Sequence, residues 1–289
     1  MTHLLPQIII NSLIAGSLYT LTAMGFSLVY SCTKFVNLTH GMVAAAGGYI
    51  VFYLAKILGL DMSFSIIFGV LSAGILGQGL NMIIFEPLKR RRSSNTVLLV
   101  ASLGAMIVIQ SLLAIFFTSQ FQTLGDSNTI RKIYIFSNIV VTQAQIVILL
   151  SALVSFATLA SILKFTKFGK MARAINDNEE AATIVGINTE KIIRWLFFLG
   201  STIAGLAGIL AGFDTGLQPT IGMNLLIKGY IATVIGGIGS IKGALIGSLI
   251  LGIAENFGTW KVSGEWKDAI AFILLTAFLL FRPRGVFKK

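Results

Sequence analysis

Residues 168–195, FGKMARAINDNEEAATIVGINTEKIIRW, form the only long polar stretch in a chain that is otherwise strongly apolar. Within it, Asp177 precedes Glu180 by three residues, a spacing that predicts a capping box at the start of a helix. The residues from Glu180 to Val185 predict a short helix, and Gly186 can adopt the left-handed conformation that ends one. The stretch therefore predicts a short polar helix followed by a sharp stop.

A second helix is predicted directly after this stop, because Asn188 or Thr189 can cap a helix that continues into the next apolar segment. One interpretation is an amphipathic helix at a membrane surface that only connects two membrane spans. The other is a docking helix that binds a soluble partner protein. The residues by themselves leave both interpretations open.

The composition places the whole chain in a membrane. Of the 289 residues, 55% are hydrophobic and 11% are charged, whereas soluble domains carry about 25% charged residues. The single cysteine, Cys32, excludes an internal disulfide framework and a cysteine-cluster metal site. We expect an all-α, polytopic integral membrane protein that forms one transmembrane domain over residues 1–289, with its polar loop at about 168–194.

Long apolar runs predict the membrane spans. Six are complete, at about residues 7–31, 42–58, 63–85, 96–118, 144–163 and 192–213, and a last one lies at about 268–281. The first is expected to be retained rather than cleaved as a signal peptide, and Glu86-Pro87 is expected to close the third. Residues 133–136 predict a short strand or interfacial piece between the fourth and fifth spans.

Two shorter apolar runs, 225–238 and 244–257, are separated by glycines at 236, 237 and 239. Each is short for a span of about 20 residues, so the chain predicts eight spans, or nine if this broken pair makes two. Small residues also recur every fourth position at Gly200, Ala204, Gly208 and Gly212. Such a ladder favours close helix packing within the chain over dimerisation.

Basic residues fix the expected orientation, because Lys and Arg concentrate in cytoplasmic loops. If Lys89-Arg90-Arg91-Arg92 is cytoplasmic, alternation of the spans places 16 of the 22 Lys and Arg on that side, including those of the polar loop and the C-terminal tail. Lys228 falls among the six on the other side. The net charge of +11 is thus explained by topology rather than by nucleic-acid binding. The N-terminus is predicted outside and the C-terminus in the cytoplasm.

No catalytic constellation is recognisable, so we do not expect an enzyme. His3 and His40 lack an HExxH-like partner, and no P-loop lysine is present to bind ATP. Glu86, Asp214, Glu255 and Asp268 all lie near the predicted ends of spans, which leaves the deep parts of the membrane almost without ionisable groups. This pattern weighs against proton coupling and favours a pathway moved by an external motor.

Two polar or glycine-rich interruptions are candidates for lining such a pathway, since transporters bind solutes at discontinuous helices in matching positions of two halves. The first contains Asn37, Thr39, His40 and Gly41, and the second contains Gly236, Gly237 and Gly239. We expect them to face each other across the pathway. The alternative is that Asn37 and Thr39 are helix caps, that the glycines serve packing, and that His40 is a hydrogen-bonded interfacial residue.

The spacing Glu180-Ala181-Ala182-x3-Gly186 resembles the EAA motif of ABC importer permeases, although the later Leu-Pro of that motif is replaced by Phe197-Phe198. The resemblance extends over nearly the whole chain. INSLIAGSLYTLTAMGFSLVYSCTKFVNLTHG, the polar loop with STIAGLAGILAG, GMNLLIKGYIATVIGGIGSIKGALIGSLILGIAENF and FRPRGVF resemble successive parts of LivH-type permeases of the branched-chain amino acid ABC importers.

This resemblance implies a bacterial inner-membrane permease that pairs with a second, LivM-type permease and receives solute from an extracytoplasmic binding protein. Two ABC ATPase subunits would bind the ATP, so this chain would need no cofactor of its own. Carried over by motif, the ATPase-coupling residues are Glu180, Ala181, Ala182 and Gly186, with Arg173 and Asn178 beside them.

The solute is the least determined part of the interpretation. The resemblance implies leucine, isoleucine and valine or similar neutral amino acids, while urea or short amides remain an alternative within the same family. An ion-coupled secondary transporter and a scaffolding subunit without a pathway are the alternatives from other classes. The scarcity of buried carboxylates argues against the former.

Overall fold

The computed structural model describes residues 4–125, 133–136, 139–282 and 285–287, and they are almost entirely helical. The helices are α1 Leu5–Thr33, α2 Thr39–Phe52, α3 Met62–Leu80, α4 Glu86–Arg90, α5 Asn95–Phe117, α6 Gln143–Phe165, α7 Lys167–Asp177, α8 Glu179–Ile184, α9 Thr189–Asp214, α10 Ile221–Gly236, α11 Ile241–Lys261 and α12 Lys267–Phe281. Strands β1 Ile133–Phe136 and β2 Ile139–Thr142 pair as an antiparallel hairpin. The predicted strand is confirmed, and its partner strand is a new feature.

Seven helical segments among the described residues are long and apolar enough to cross a membrane. Two more, α10 with 16 residues and α12 with 15, are apolar but shorter. The prediction of a polytopic all-α bundle is confirmed. The glycine-broken pair makes two separate helices, α10 and α11, and seven long helices with two shorter ones are approximately consistent with the predicted eight or nine spans.

The third span does not end at Pro87. A π-helical turn, Asn81–Phe85, joins α3 to α4, and the helix continues to Arg90. In this turn the N–H of Glu86 bonds the carbonyl of Asn81 five residues back. Because proline lacks an N–H and its ring crowds the preceding turn of an α-helix, the wider turn allows the helix to pass through this position.

Side-chain caps define several helix starts. Asp61 accepts hydrogen bonds from the backbone N–H groups of the first turn of α3, and Ser94 and Ser240 do the same for α5 and α11. Thr142 forms a complete capping box at the start of α6. These caps satisfy N–H groups that have no partner within the helix.

Helices α1, α2 and α9 form the centre of the bundle, and α1 is buried around most of its circumference. Small residues allow these backbones to touch. A Cβ at Gly208 would overlap the carbonyl of Ala44, and a Cβ at Gly25 would lie 2.5 Å from the carbonyl oxygen of Gly200. The predicted ladder on the sixth span therefore packs within the chain, as expected where lipid gives helices no hydrophobic reason to associate.

Candidate functional site

The polar loop folds into two short helices, α7 and α8. Sequence reasoning missed α7, which runs over Lys167–Asp177, and it chose the wrong cap for α8. Asp177 is the last residue of α7, and the side chain of Asn178 caps α8 by accepting a hydrogen bond from Ala181 N at 3.0 Å. The cap position fell one residue later because Asn178 has the extended backbone that a cap requires.

The end of α8 agrees with the prediction for Gly186, whose φ of 88° is left-handed. Gly186 N bonds Thr183 O, and Ile187 N bonds Ala182 O, both at 3.0 Å. This pair of bonds is a Schellman motif, which turns the chain sharply towards α9. Asn188 then caps α9 through Lys191 N at 3.0 Å.

One face of α8 is buried and the other is open. Ala182 packs inward and is 3% exposed, whereas Ile184 and Val185 are 85% and 75% exposed. Glu180 and Ala181 are exposed as well. Two large aliphatic side chains at the tip of a polar loop are costly to leave in water, at about 25 cal/mol per Å² of apolar surface, and such exposure indicates a binding surface.

Ion pairs attach this loop to the end of the third span. Lys89 Nζ lies 2.7 and 2.6 Å from the two carboxylate oxygens of Glu179, the first residue of α8. Arg90 binds both carboxylate oxygens of Glu190, and Arg194 binds both of Glu86. Sequence reasoning assigned Lys89 and Arg90 only to topology, because the partners in these three ion pairs are 90, 100 and 108 residues apart and no local spacing reveals them.

Arg173 serves the other end of the loop. It lies on α7, and its guanidinium donates to the backbone carbonyl of Leu163 near the end of α6. A Cβ at Gly169 would overlap the backbone of the same residue, so α7 packs directly against the preceding span. The loop is thus attached to the ends of α6, α4 and α9, with α8 as its exposed part.

The first predicted pathway segment is buried in the bundle. Asn37, Thr39 and His40 are 5%, 1% and 2% exposed. Asn37 Oδ1 accepts from Thr39 N at 3.1 Å and from Thr39 Oγ1 at 2.6 Å, an Asx-type turn just before α2; the cap position itself is Leu38, which makes no side-chain cap bond. The backbone of Gly41 packs against Gly222, at the start of α10.

His40 is neither interfacial nor fully hydrogen-bonded, contrary to the alternative interpretation. Its Nε2 is buried without a hydrogen-bond partner among the described residues. The ring lies beside Gly25 and opposite Gly200. Because Gly25 stands eight residues from the end of α1, the start of α2 lies about 12 Å inside the bundle at 1.5 Å per residue. Helices α2 and α10 therefore both begin in the interior, with their first turns in contact.

The second predicted pathway segment lies elsewhere. Gly236 packs against Gly243, and Gly239, with φ 85°, lies against Ser31. Gly237, with φ 107°, makes the turn out of α10. The C-terminal tail covers this turn, since Val286 N bonds Ile235 O at 2.9 Å and Phe287 N bonds Gly236 O at 3.0 Å. The two segments are not brought into contact by the described residues, and their role in a pathway stays a prediction.

A buried ion pair is the feature that sequence reasoning most clearly missed. Lys228 was predicted on the outer side and Glu255 at a span end, but Lys228 lies inside α10 and Glu255 is 0% exposed. Lys228 Nζ is 2.5 Å from Glu255 Oε1 and 2.7 Å from Asp268 Oδ1, and Tyr19 donates to Glu255 Oε2 at 2.7 Å. Every charge in this cluster is compensated, so its buried carboxylate is not a vacant ion-coupling group.

Comparison with known proteins supports one family. The family described as branched-chain amino acid transport system / permease component matches residues 8–279. BraD, a permease protein of the high-affinity branched-chain amino acid transport system of Pseudomonas aeruginosa, is 32% identical over 98% of this chain and 95% of its own. LivH, the corresponding permease protein of Escherichia coli K12, is 30% identical over 97% of this chain and 94% of its own.

The fold also resembles a solved structure, PsaBC from Streptococcus pneumoniae in complex with Fab, with a TM-score of 0.52 and 17% identity over 96% of this chain and 92% of that one. At this identity the likeness concerns the fold alone. The nearly complete match to the family, the identity to BraD and LivH, and the multi-pass helical bundle agree with one another. The chain belongs to the family of branched-chain amino acid transport system permease components.

Proposed function

We propose that this chain forms part of the translocation pathway of an ABC importer for branched-chain or similar neutral amino acids. The membrane part would be a pair of permeases, this chain and a LivM-type subunit, in a bacterial inner membrane. Two separate ATPase subunits would supply the energy, and an extracytoplasmic binding protein would deliver the solute. The named functions of BraD and LivH support the choice of solute over urea or short amides.

The observation that carries this proposal is the exposed tip of α8. Ile184 and Val185 present apolar surface on a loop that ion pairs attach to α4, and Glu180 and Ala181 lie on the same exposed helix. A helix fixed at its base and apolar at its tip suits insertion into a groove of a soluble subunit. Arg173 and Asn178 would act as positioning residues, and Gly186 would allow the turn that follows the tip.

The proposed orientation places this loop in the cytoplasm, where an ATPase can reach it. With nine spans the two termini would lie on opposite sides; in the proposed orientation the N-terminus would lie outside, the C-terminus inside, and the loop between the fifth and sixth spans on the cytoplasmic side. The basic residues of α4 and of the loop then follow the preference of Lys and Arg for the cytoplasm. Cysteine accessibility of single variants in the hairpin β1–β2 and in α8 would test the two sides directly.

The function is tested with the complete transporter, reconstituted in proteoliposomes together with its binding protein. We expect ATP-dependent uptake of labelled leucine that requires the binding protein, and no uptake of urea. Isolation of the chain without any ATPase from its native membrane would contradict the proposal, as would leucine uptake that continues without ATP but depends on an ion gradient.

The coupling role is tested by Glu180→Lys. The charge reversal lies on the exposed side of α8 and touches no buried contact, so the protein should insert and fold normally. We expect ATPase activity to continue while uptake falls by at least tenfold. The matched control is Glu265→Lys, an exposed reversal at the other end of the molecule, in the short turn Gly264–Trp266 before α12. Equal uptake by both variants would remove Glu180 from the coupling surface.

A further inference from the structure

We propose that a cavity of about 270 Å³ at the ends of α1, α6, α9, α11 and α12 opposite to the polar loop binds an amino acid as a zwitterion. Its wall brings together one carboxylate, Asp214, one ammonium group, Lys267, and an apolar strip of α1. This inference rests on the proposed function, because it assigns to the transported solute a binding site within this chain on the extracytoplasmic side.

The two charged groups retain bonding capacity that faces the cavity. Asp214 accepts a hydrogen bond from Gln145 Nε2 at 3.3 Å, which uses one of about four acceptor positions of a carboxylate. Lys267 Nζ lies 3.8 Å from Glu255 Oε2, a long contact to an oxygen that Tyr19 already bonds at 2.7 Å. An α-ammonium group would therefore find an acceptor in Asp214, and an α-carboxylate would find a donor in Lys267.

Beside the polar lining residues Asn11, Thr215 and Asn256, one strip of the wall suits a branched apolar side chain. Ile14, Ala15 and Leu18 lie on one side of α1, and Ile14 and Leu18 are 5% and 9% exposed. Tyr19 also lines the cavity, and its hydroxyl donates a hydrogen bond to Glu255 Oε2 at 2.7 Å. The volume is slightly below the range of about 300–1,000 Å³ typical of sites for drug-sized ligands, which favours a smaller solute.

The charges of Asp214 and Lys267 favour a ligand that carries both a positive and a negative group. One acidic and one basic group leave the site neutral, so a lone cation would meet Lys267 and a lone anion would meet Asp214. An uncharged amide would bring no charge to either group, so Asp214 would keep its hydrogen bond from Gln145 and Lys267 its long contact with Glu255, and neither would gain a charged partner. A zwitterion compensates both groups at once. The phosphoethanolamine headgroup of a lipid has similar charges, but the small volume and the apolar strip of α1 favour a free amino acid.

The test measures equilibrium binding of labelled L-leucine to the complete transporter in nanodiscs, without the binding protein. Isoamylamine, which lacks the carboxylate, and 4-methylpentanoate, which lacks the ammonium group, serve as competitors. We expect unlabelled leucine to compete at least about tenfold better than either analogue, because each analogue loses one charge-assisted interaction. Competition by one analogue as strong as that by leucine would overturn the proposal.

Site variants separate this cavity from other leucine sites in the complex. Asp214→Asn and Lys267→Gln should each weaken leucine binding by at least about tenfold. The matched controls, Glu265→Gln and Lys261→Gln, remove exposed charges near the same end of α11 and α12 and should bind as the wild type does. Ala15→Leu, which changes no charge, should weaken leucine binding more than glycine binding because it fills the apolar side.

Wild-type binding that is absent, or that is unchanged in both charge variants, would overturn the site. Retained phosphatidylethanolamine that leucine does not displace would also overturn it, in favour of a lipid headgroup. ATP-driven uptake, measured on the same preparation with the binding protein added, distinguishes failure of the proposed site from failure of the proposed function. Leucine uptake without binding at this cavity rejects only the site, whereas binding without uptake of any neutral amino acid rejects the proposed function.

Discussion

Replacement of Lys228 by Met should destabilise the protein by about 3 kcal/mol, because breaking a buried ion pair from one side leaves a buried charge unpaired. The lost contacts are those at 2.5 Å to Glu255 and 2.7 Å to Asp268. Glu255 is fully buried, but it keeps the hydrogen bond from Tyr19 and has Lys267 at 3.8 Å. These remaining contacts place the loss at the lower end of the usual range of about 3–5 kcal/mol. Asp268 is exposed and can be solvated again at little cost.

The double variant Lys228→Met/Glu255→Gln should recover much of this loss. It removes both charges while Gln keeps an acceptor for Tyr19, so we expect a total loss of about 1 kcal/mol and a coupling free energy of at least about 2 kcal/mol in the double-mutant cycle. Reversible unfolding in mixed detergent micelles measures both quantities. The control Lys261→Met, at the exposed end of α11, should change stability by less than about 0.5 kcal/mol. Additive losses in the two single variants would refute the reasoning.

Three further outcomes follow from the loop and the core. Gly186→Val should reduce coupled uptake and cost about 1–2 kcal/mol, because φ is 88° there, whereas Gly59→Val, with φ 68° and open space around it, should carry the same strain without loss of uptake. Lys89→Glu and Glu179→Lys should each impair coupling of ATPase activity to uptake, and the double exchange should restore it, because their 2.6 Å contact holds α8. Failure of the double exchange to restore uptake would show that this contact plays no part in positioning α8. Gly208→Val should lower the free energy of unfolding by about 1–3 kcal/mol, and with it the melting temperature and the yield of folded protein, because the new side chain would overlap the carbonyl of Ala44; an unchanged melting temperature would show that α2 and α9 can separate freely.

The parts of the fold that follow from local sequence were predictable. Apolar runs located the spans, and Gly186 located the end of α8 because a left-handed turn has a strong residue preference. The cap of the same helix was missed, since Asp177 and Asn178 are both good capping residues and only the backbone conformation after α7 selects one. Helix α7 was missed although Thr166 caps it through Gly169 N and its buried residues Ala172 and Ile175 follow helical spacing; only its packing against Leu163 was beyond the reach of local pattern.

Contacts between distant elements could not be predicted in this way. Lys228 and Glu255 are 27 residues apart and meet only because α10 and α11 pack side by side. A lysine with apolar neighbours on both sides was a sign of burial that the charge-counting argument overlooked. Likewise, Asn37 and Thr39 indicated a helix cap, but the depth at which α2 begins is set by the neighbouring helices, which sequence spacing does not report.

The π turn Asn81–Phe85 fixes the rotational phase of the third span. Each residue of an α-helix turns the chain by about 100° and advances it by about 1.5 Å. The extra residue in the π turn therefore sets the direction, around the helix axis, of every side chain that follows it. Removal of that residue would swing Lys89 and Arg90 by more than a quarter of a revolution, away from Glu179 and Glu190. The direction in which Lys89 and Arg90 point towards the polar loop is thus determined about two helical turns earlier, inside the apolar part of the span.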